Sequence, residues 1–256
     1  MRSLIAAELL KLRHTRSAWI PPAAALIIAV IAVIAGAATA GHGGNPPLSP
    51  AALPGLLRGS GGQLVDGAVL LAWIVLSAGE FRHRTSVTTF LGQPRRLRVV
   101  AAKLAAAALT GAAVGLLAEA LSAATSAVVL SAHHVPLHWA QPGVASALLA
   151  VPLLAALFGV LGASLGLLLR NTAAALGLAL MWAFVIEGIL PALIRAPGMA
   201  RWLPEAAANA VLHGASATTA ALSAGAAVAV LAGYTVVLAA VGAIATTRRE
   251  IGTTTG

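Results

Sequence analysis

Residues 120–169 read ALSAATSAVVLSAHHVPLHWAQPGVASALLAVPLLAALFGVLGASLGLLL, a run of 50 residues without Asp, Glu, Lys or Arg. One bilayer crossing takes about 20 apolar residues of helix, so this run holds two. The stretch from His133-His134-Val135-Pro136 to Gln141-Pro142-Gly143 divides it, because proline and glycine punctuate regular structure. Two further charge-free runs extend from Ser17 to Leu57 and from Ala206 to Thr247, and His42-Gly43-Gly44-Asn45-Pro46-Pro47 ends the crossing in the first. The expected spans are about 18–40, 64–79, 101–131, 142–169, 173–194 and 219–245, the second being short and borrowing residues from its flanks. Alanine and leucine dominate and no ten-residue alternation occurs, which disfavours strands. Helices satisfy their own backbone hydrogen bonds in lipid. The expected fold is an all-α polytopic membrane protein with six transmembrane helices in a single transmembrane domain over 1–256.

Composition says the same. Of 256 residues, 59% are hydrophobic and 9% are charged, with a mean hydropathy of +0.93. Soluble domains carry about 25% charged residues, so a water-soluble globule is excluded, and disorder needs the opposite balance. Cysteine is absent, which removes disulfides, thiolate metal sites and cysteine catalysis. The first apolar stretch is too long for the apolar region of a signal peptide. The net charge is +9. With six spans and both termini on one side, 13 of the 16 Lys and Arg residues fall on that side, and Arg58, Arg195 and Arg201 on the other. Basic residues favour the cytoplasm, so both termini are expected there. The charge is then a topology signal, with membrane lipid or a protein as its partner and no nucleic acid.

Two cytoplasmic pieces stand out. Residues 2–16 (RSLIAAELLKLRHTR) have Ile5, Leu9 and Leu12 at i, i+4 and i+7, with Glu8, Lys11 and Arg13 largely elsewhere on the wheel. This predicts an amphipathic helix in the membrane interface, or simply a basic anchor that fixes topology. The loop after the second span contains a helix-capping Thr85 or Ser86, a helix-ending Gly92 and a helix-starting Pro94. Between them, about 86–91, Val87, Phe90 and Leu91 share one face. A helix under two turns needs a surface to dock on. Lipid headgroups, with the flanking arginines as anchors, are one such surface.

Several blocks resemble one family. Glu8-Leu9-Leu10-Lys11-Leu12-Arg13 with Thr15-Arg16-Ser17-Ala18-Trp19 is similar to the opening of the permease subunits of bacterial type-2 ABC transporters, the short exporter kind. Gly79-Glu80-Phe81-Arg82-His83-Arg84-Thr85, Thr88-Thr89-Phe90-Leu91, Pro94-Arg95-Arg96 and Ala101-Ala102-Lys103 resemble their segment between spans two and three. Gly162, Gly166 to Thr172 and Arg201-Trp202-Leu203-Pro204 resemble their later turns. The resemblance covers nearly the whole chain. It implies a dimer, of identical or similar permeases, in the bacterial cytoplasmic (inner) membrane, exporting substrate under the drive of two cytoplasmic ABC ATPase subunits. Residues 2–16 would be the connecting helix, and 86–91 the coupling helix seated in the ATPase. Glu80, Arg82, Arg84, Val87, Phe90, Leu91, Arg95 and Arg96 would form the ATPase-coupling set, and 195–218 short re-entrant or interfacial helices on the outer face. No G-x-x-x-x-G-K-[ST] phosphate loop occurs. ATP and Mg would therefore sit on the partner, and the chain would not itself be an enzyme.

Asp66, Glu119 and Glu187 lie in or near spans. A charge at mid-bilayer costs roughly 2.5–3.5 kcal/mol on insertion scales, so each must face protein, water or a partner, or be protonated. The resemblance places the substrate path between spans two and five. That favours Glu187 over Glu119 as a path residue, with Asp66 at the outer mouth. Interhelical hydrogen bonding is the structural alternative for these acids. A proton- or ion-coupled secondary transporter using Glu119 or Glu187 is the alternative function, although no inverted repeat is visible. His133, His134 and His138 cluster in one loop without a carboxylate, and no metal is expected there. Gly111/Gly115 and Gly162/Gly166 are each G-x-x-x-G, a spacing for close helix packing. No catalytic constellation is present.

Overall fold

Alanine and leucine lose little conformational freedom in a helix, and the chain turns nearly every apolar run into one. The computed structural model describes residues 1–42, 45, 47–58, 62–82, 96–189, 197–213 and 222–248, and no strand occurs among them. In order the helices are α1 (Arg2–His14), α2 (Arg16–Ala38), α3 (Leu53–Arg58), α4 (Gly62–Arg82), α5 (Arg96–Ala132), α6 (Val144–Leu169), α7 (Thr172–Met181), α8 (Pro197–Ala200), α9 (Pro204–His213) and α10 (Ala224–Arg248). A short 3-10 turn, Pro50–Ala52, precedes α3, and α7 continues through a π-helical turn at Trp182–Ile186. Among the described residues six helices are long and apolar enough to cross a membrane. They correspond to the six expected spans. The third is longer than expected, starting at Arg96, because five further residues at its charged end continue the helix.

The centre is α4, α5 and α6. Close approach is possible because glycine stands where α5 and α4 meet α6. A Cβ on Gly115 of α5 would lie 2.6 Å from Pro152 Cα of α6, and one on Gly166 of α6 would lie 2.6 Å from Ser77 Cβ of α4. Gly111 likewise abuts the Ala155 carbonyl, and Gly162 that of Leu70. Both expected G-x-x-x-G pairs are therefore contact surfaces. These pairings make α6 antiparallel to α5 and parallel to α4. The buried cluster continues from these helices to Leu12, Ala25, Ala207, Leu212, Ala227 and Leu231. A second cluster at the other end joins Leu53 and Leu57 of α3 to Leu130, Val144 and Ala147.

At the end where α1 lies, backbone corners are tied by side chains. Thr15 breaks α1 from α2, with its hydroxyl donating to the Lys11 carbonyl at 2.9 Å, and Trp19 Nε1 donates to the Leu12 carbonyl at 3.0 Å. Arg170 takes a left-handed conformation, φ 53°, between α6 and α7. The next residue, Asn171, caps α7 by accepting from the Ala174 N–H at 3.1 Å. The Arg170 guanidinium lies over the Phe81 ring at 4.9 Å and donates to the Ala245 carbonyl at 3.1 Å. Arg96 donates to the Thr247 carbonyl at 3.5 Å. Two cations therefore meet the last carbonyls of α10, where a helix carries negative partial charge.

Candidate functional site

The charged end of the bundle is built around α1. Its inward face is Ile5, Glu8, Leu9 and Leu12, with Glu8 and Leu12 buried and Ile5 and Leu9 packed on the core. This corrects the wheel reading, which set Glu8 apart from the apolar stripe. Positions 5, 8, 9 and 12 are one stripe on a helix, and α1 packs against protein along it. Glu8 sits there because two lysines reach it. Lys11 Nζ is 2.6 Å from Glu8 Oε1, and Lys103 Nζ of α5 is 2.6 Å from Glu8 Oε2. Both ammonium groups also reach Glu80 Oε1 at the end of α4, from 3.0 and 2.8 Å. The Glu8 and Lys103 side chains are 5% and 3% exposed, so this pair is sealed from water, while Lys11 looks out.

The electrostatics follow from that geometry. Burial alone pushes the Glu8 carboxyl up, but the Lys103 ammonium beside it, its hydrogen bonds and Lys11 outweigh burial and hold Glu8 below its ordinary value. Burial likewise works against the Lys11 ammonium, and Glu80 and Glu8 outweigh it, raising Lys11 above its ordinary value. Removing water from a charge costs several kcal/mol per ion. The arrangement is tolerable only because each carboxylate meets two ammonium groups.

Of the expected coupling set, Glu80 belongs to this network and Arg96 bonds to the end of α10. Arg84, Val87, Phe90, Leu91 and Arg95 lie outside the described residues, as does the side chain of Arg82. The expected short helix at 86–91 falls there too.

The acids within the spans divide into two kinds. Glu187 is bonded at both oxygens. Trp182 Nε1 donates to its Oε1 at 2.7 Å, and the Glu205 backbone N–H donates to its Oε2 at 2.6 Å. The π turn makes the first possible, since its i→i+5 register stacks residue 187 over 182, and the Glu187 N–H bonds the Trp182 carbonyl. The second places a carboxylate on the first turn of α9, where N–H groups lack helical partners. Asp66 and Glu119 differ. They are 1% and 3% exposed, and neither has a hydrogen-bond partner among the described residues. Asp66 lies on α4 one turn from Gly62 and one from Leu70, both of which touch α6. It therefore shares the α4 face that packs on α6. Glu119 shares its α5 face with Ser122 and Ser126, also buried and without partners among the described residues.

The expected outer segment contains α8 and α9, and Gln63 of α4 donates to Asn209 of α9 at 2.6 Å. His133, His134 and His138 are exposed, and among the described residues no three His, Asp or Glu side chains converge as a metal site would need. Compared with family models and with curated proteins, the chain matches none.

Proposed function

We propose that this chain is the transmembrane subunit of an ATP-driven exporter of the type-2 ABC kind. It forms the substrate path and couples to a separate cytoplasmic ATPase. One observation carries the reading. Four paired ionic groups, Glu8, Lys11, Glu80 and Lys103, gather at one end of an apolar six-helix bundle, and two of them, Glu80 and Lys103, flank the 83–95 segment that resembles the family's coupling segment. In this reading α1 is the connecting helix, both termini are cytoplasmic, and two copies of the chain or of similar permeases pair with two ATPase subunits. α7 supports the pairing, because it buries almost nothing within its own chain and presents Met181, Phe184 and Val185 outward. Hydrolysis belongs to the partner, which binds ATP and Mg.

Co-purification with an ABC ATPase tests this. Truncating a buried Phe at an interface anchor typically costs about 2 kcal/mol or more, roughly a 30-fold loss of affinity. Phe90→Asp is expected to release the ATPase while the chain stays inserted, since no span is touched. Retention at wild-type levels would sink the coupling role of 86–91. A second reading, an ion- or proton-coupled transporter, is favoured by Glu119, buried and without a hydrogen-bond partner among the described residues. It predicts substrate movement in vesicles driven by an ion gradient with no ATPase present, abolished by Glu119→Gln.

A further inference from the structure

Glu8, Lys11, Glu80 and Lys103 form a closed ring in which charges alternate. Going round, Lys11 meets Glu8 at 2.6 Å, Glu8 meets Lys103 at 2.6 Å, Lys103 meets Glu80 at 2.8 Å and Glu80 meets Lys11 at 3.0 Å. The ring is neutral. It uses the only two lysines in the sequence, all other fixed cations being arginine. An ammonium is a compact charge with three donors, suited to bridging separate carboxylates, whereas the planar guanidinium favours one carboxylate bidentately. Three elements contribute: α1 gives Glu8 and Lys11, α4 gives Glu80 and α5 gives Lys103. Loss of α4 or α5 would leave an unbalanced buried charge, whereas α1 carries one charge of each sign and leaves the Glu80–Lys103 pair neutral, so α1 is the element that can engage and release, with Glu8 and Lys11 moving together.

The ring's place gives this consequence. Glu80 is three residues before residue 83, and Lys103 is eight after residue 95. We propose that Glu8 and Lys103 are positioning residues, through which α1 acts as a strap fixing the separation of the two helix ends that flank 83–95. The strap engages or releases as a unit. Its consequence for coupling rests on the reading of 83–95 as the ATPase-docking segment; the strap itself does not.

The absence of cysteine allows a direct test. Leu9 is half-buried against the core, so a single Leu9→Cys reports whether α1 is docked, read by its labelling rate with a membrane-impermeant maleimide in inside-out vesicles. Glu8→Gln is expected to speed labelling at least tenfold. Exchanging one pair, Glu8→Lys with Lys103→Glu, is expected to fail equally, because in a ring it sets Lys against Lys11 and Glu against Glu80. Exchanging all four, by adding Lys11→Glu and Glu80→Lys, restores alternation and is expected to return labelling to within threefold of wild type. Should the fourfold variant not insert, Glu8→Gln with Lys103→Met decides. It removes the buried pair and leaves Lys11–Glu80 neutral, so it must label more slowly than Glu8→Gln alone. Wild-type labelling of Glu8→Gln, or protection in the single-pair exchange, overturns the ring. The functional arm uses the co-purified complex. Glu8→Gln is expected to keep its ATPase but change its hydrolysis rate at least threefold. Unchanged hydrolysis with α1 released overturns the positioning role. If the wild-type chain binds no ATPase, the proposed function fails, and the labelling still decides the strap.

Discussion

Adding one methyl group at chosen glycines tests the packing of α4, α5 and α6. In Gly115→Ala the new Cβ falls 2.6 Å from Pro152 Cα, and in Gly166→Ala it falls 2.6 Å from Ser77 Cβ. Carbon atoms sit comfortably at about 3.5–4.0 Å, so the helix pair must part by about 1 Å. At Gly115 the obstacle is backbone, which cannot rotate away. Overpacking of this kind costs about 1–3 kcal/mol. Alanine recovers about 0.5–1 kcal/mol by stiffening the helix, which leaves a net loss of up to about 2.5 kcal/mol. Gly177 of α7 and Gly233 of α10 are the controls, because nothing lies within 4 Å of a Cβ there. There the same substitution is expected to gain the propensity term alone. Thermal unfolding of the detergent-solubilised protein, followed by tryptophan fluorescence, should separate the two groups by roughly 4–10 °C. Melting of Gly115→Ala and Gly166→Ala together with Gly177→Ala and Gly233→Ala would refute the close approach. So would an equal loss at Gly177 and Gly233, which would make the effect one of helix propensity or insertion.

Glu187→Leu removes both carboxylate bonds, the one from Trp182 within the α7 continuation and the one from the Glu205 N–H that ties it to α9, and is expected to cost about 2–3 kcal/mol, the scale of hydrogen bonds to a charged group. Trp182→Phe removes one and should cost about 1 kcal/mol. Hydrogen exchange at residues 204–213 should rise in Glu187→Leu, and unchanged exchange there would show that the Glu205 contact does not hold α9. The ring at α1 also fixes a pH profile. Glu8 is held below its ordinary value of 4.5, so its contribution is complete above that value and is lost as pH falls through the lowered one. Lys11 is raised above its ordinary 10.5, so its contribution is complete below that value and is lost as pH rises through the raised one. A spin label at Leu9→Cys should stay immobile from about pH 5 to about pH 10; loosening near neutrality would contradict the ring.

The spans were legible because a bilayer sets one length scale: a helical run of about 20 mostly apolar residues with few charges is suited to crossing it. The glycine contacts were legible for a related reason, since a missing side chain at i, i+4 is useful only against another backbone. The state of each acid was not legible, because it depends on what a different helix supplies. Glu187 resembles Glu119 in sequence, each a lone acid in an alanine- and leucine-rich span. It is bonded at both oxygens only because a π turn aligns Trp182 with it and α9 presents an N-terminus, and neither leaves a pattern in the sequence. Glu8 is the instructive miss. Charged residues are assigned to water by default, and that default separated it from Ile5, Leu9 and Leu12. Its spacing puts it inside their stripe, however, and an acid on a buried face requires a cation. The sequence places one Lys inside a span, Lys103, on the same side of the membrane and within two turns of the start of its helix. Taken together, the stripe and the misplaced lysine specify their partner across 95 residues of chain. A charge that breaks an amphipathic pattern is therefore better read as a search for its counter-ion than as an imperfection of the wheel.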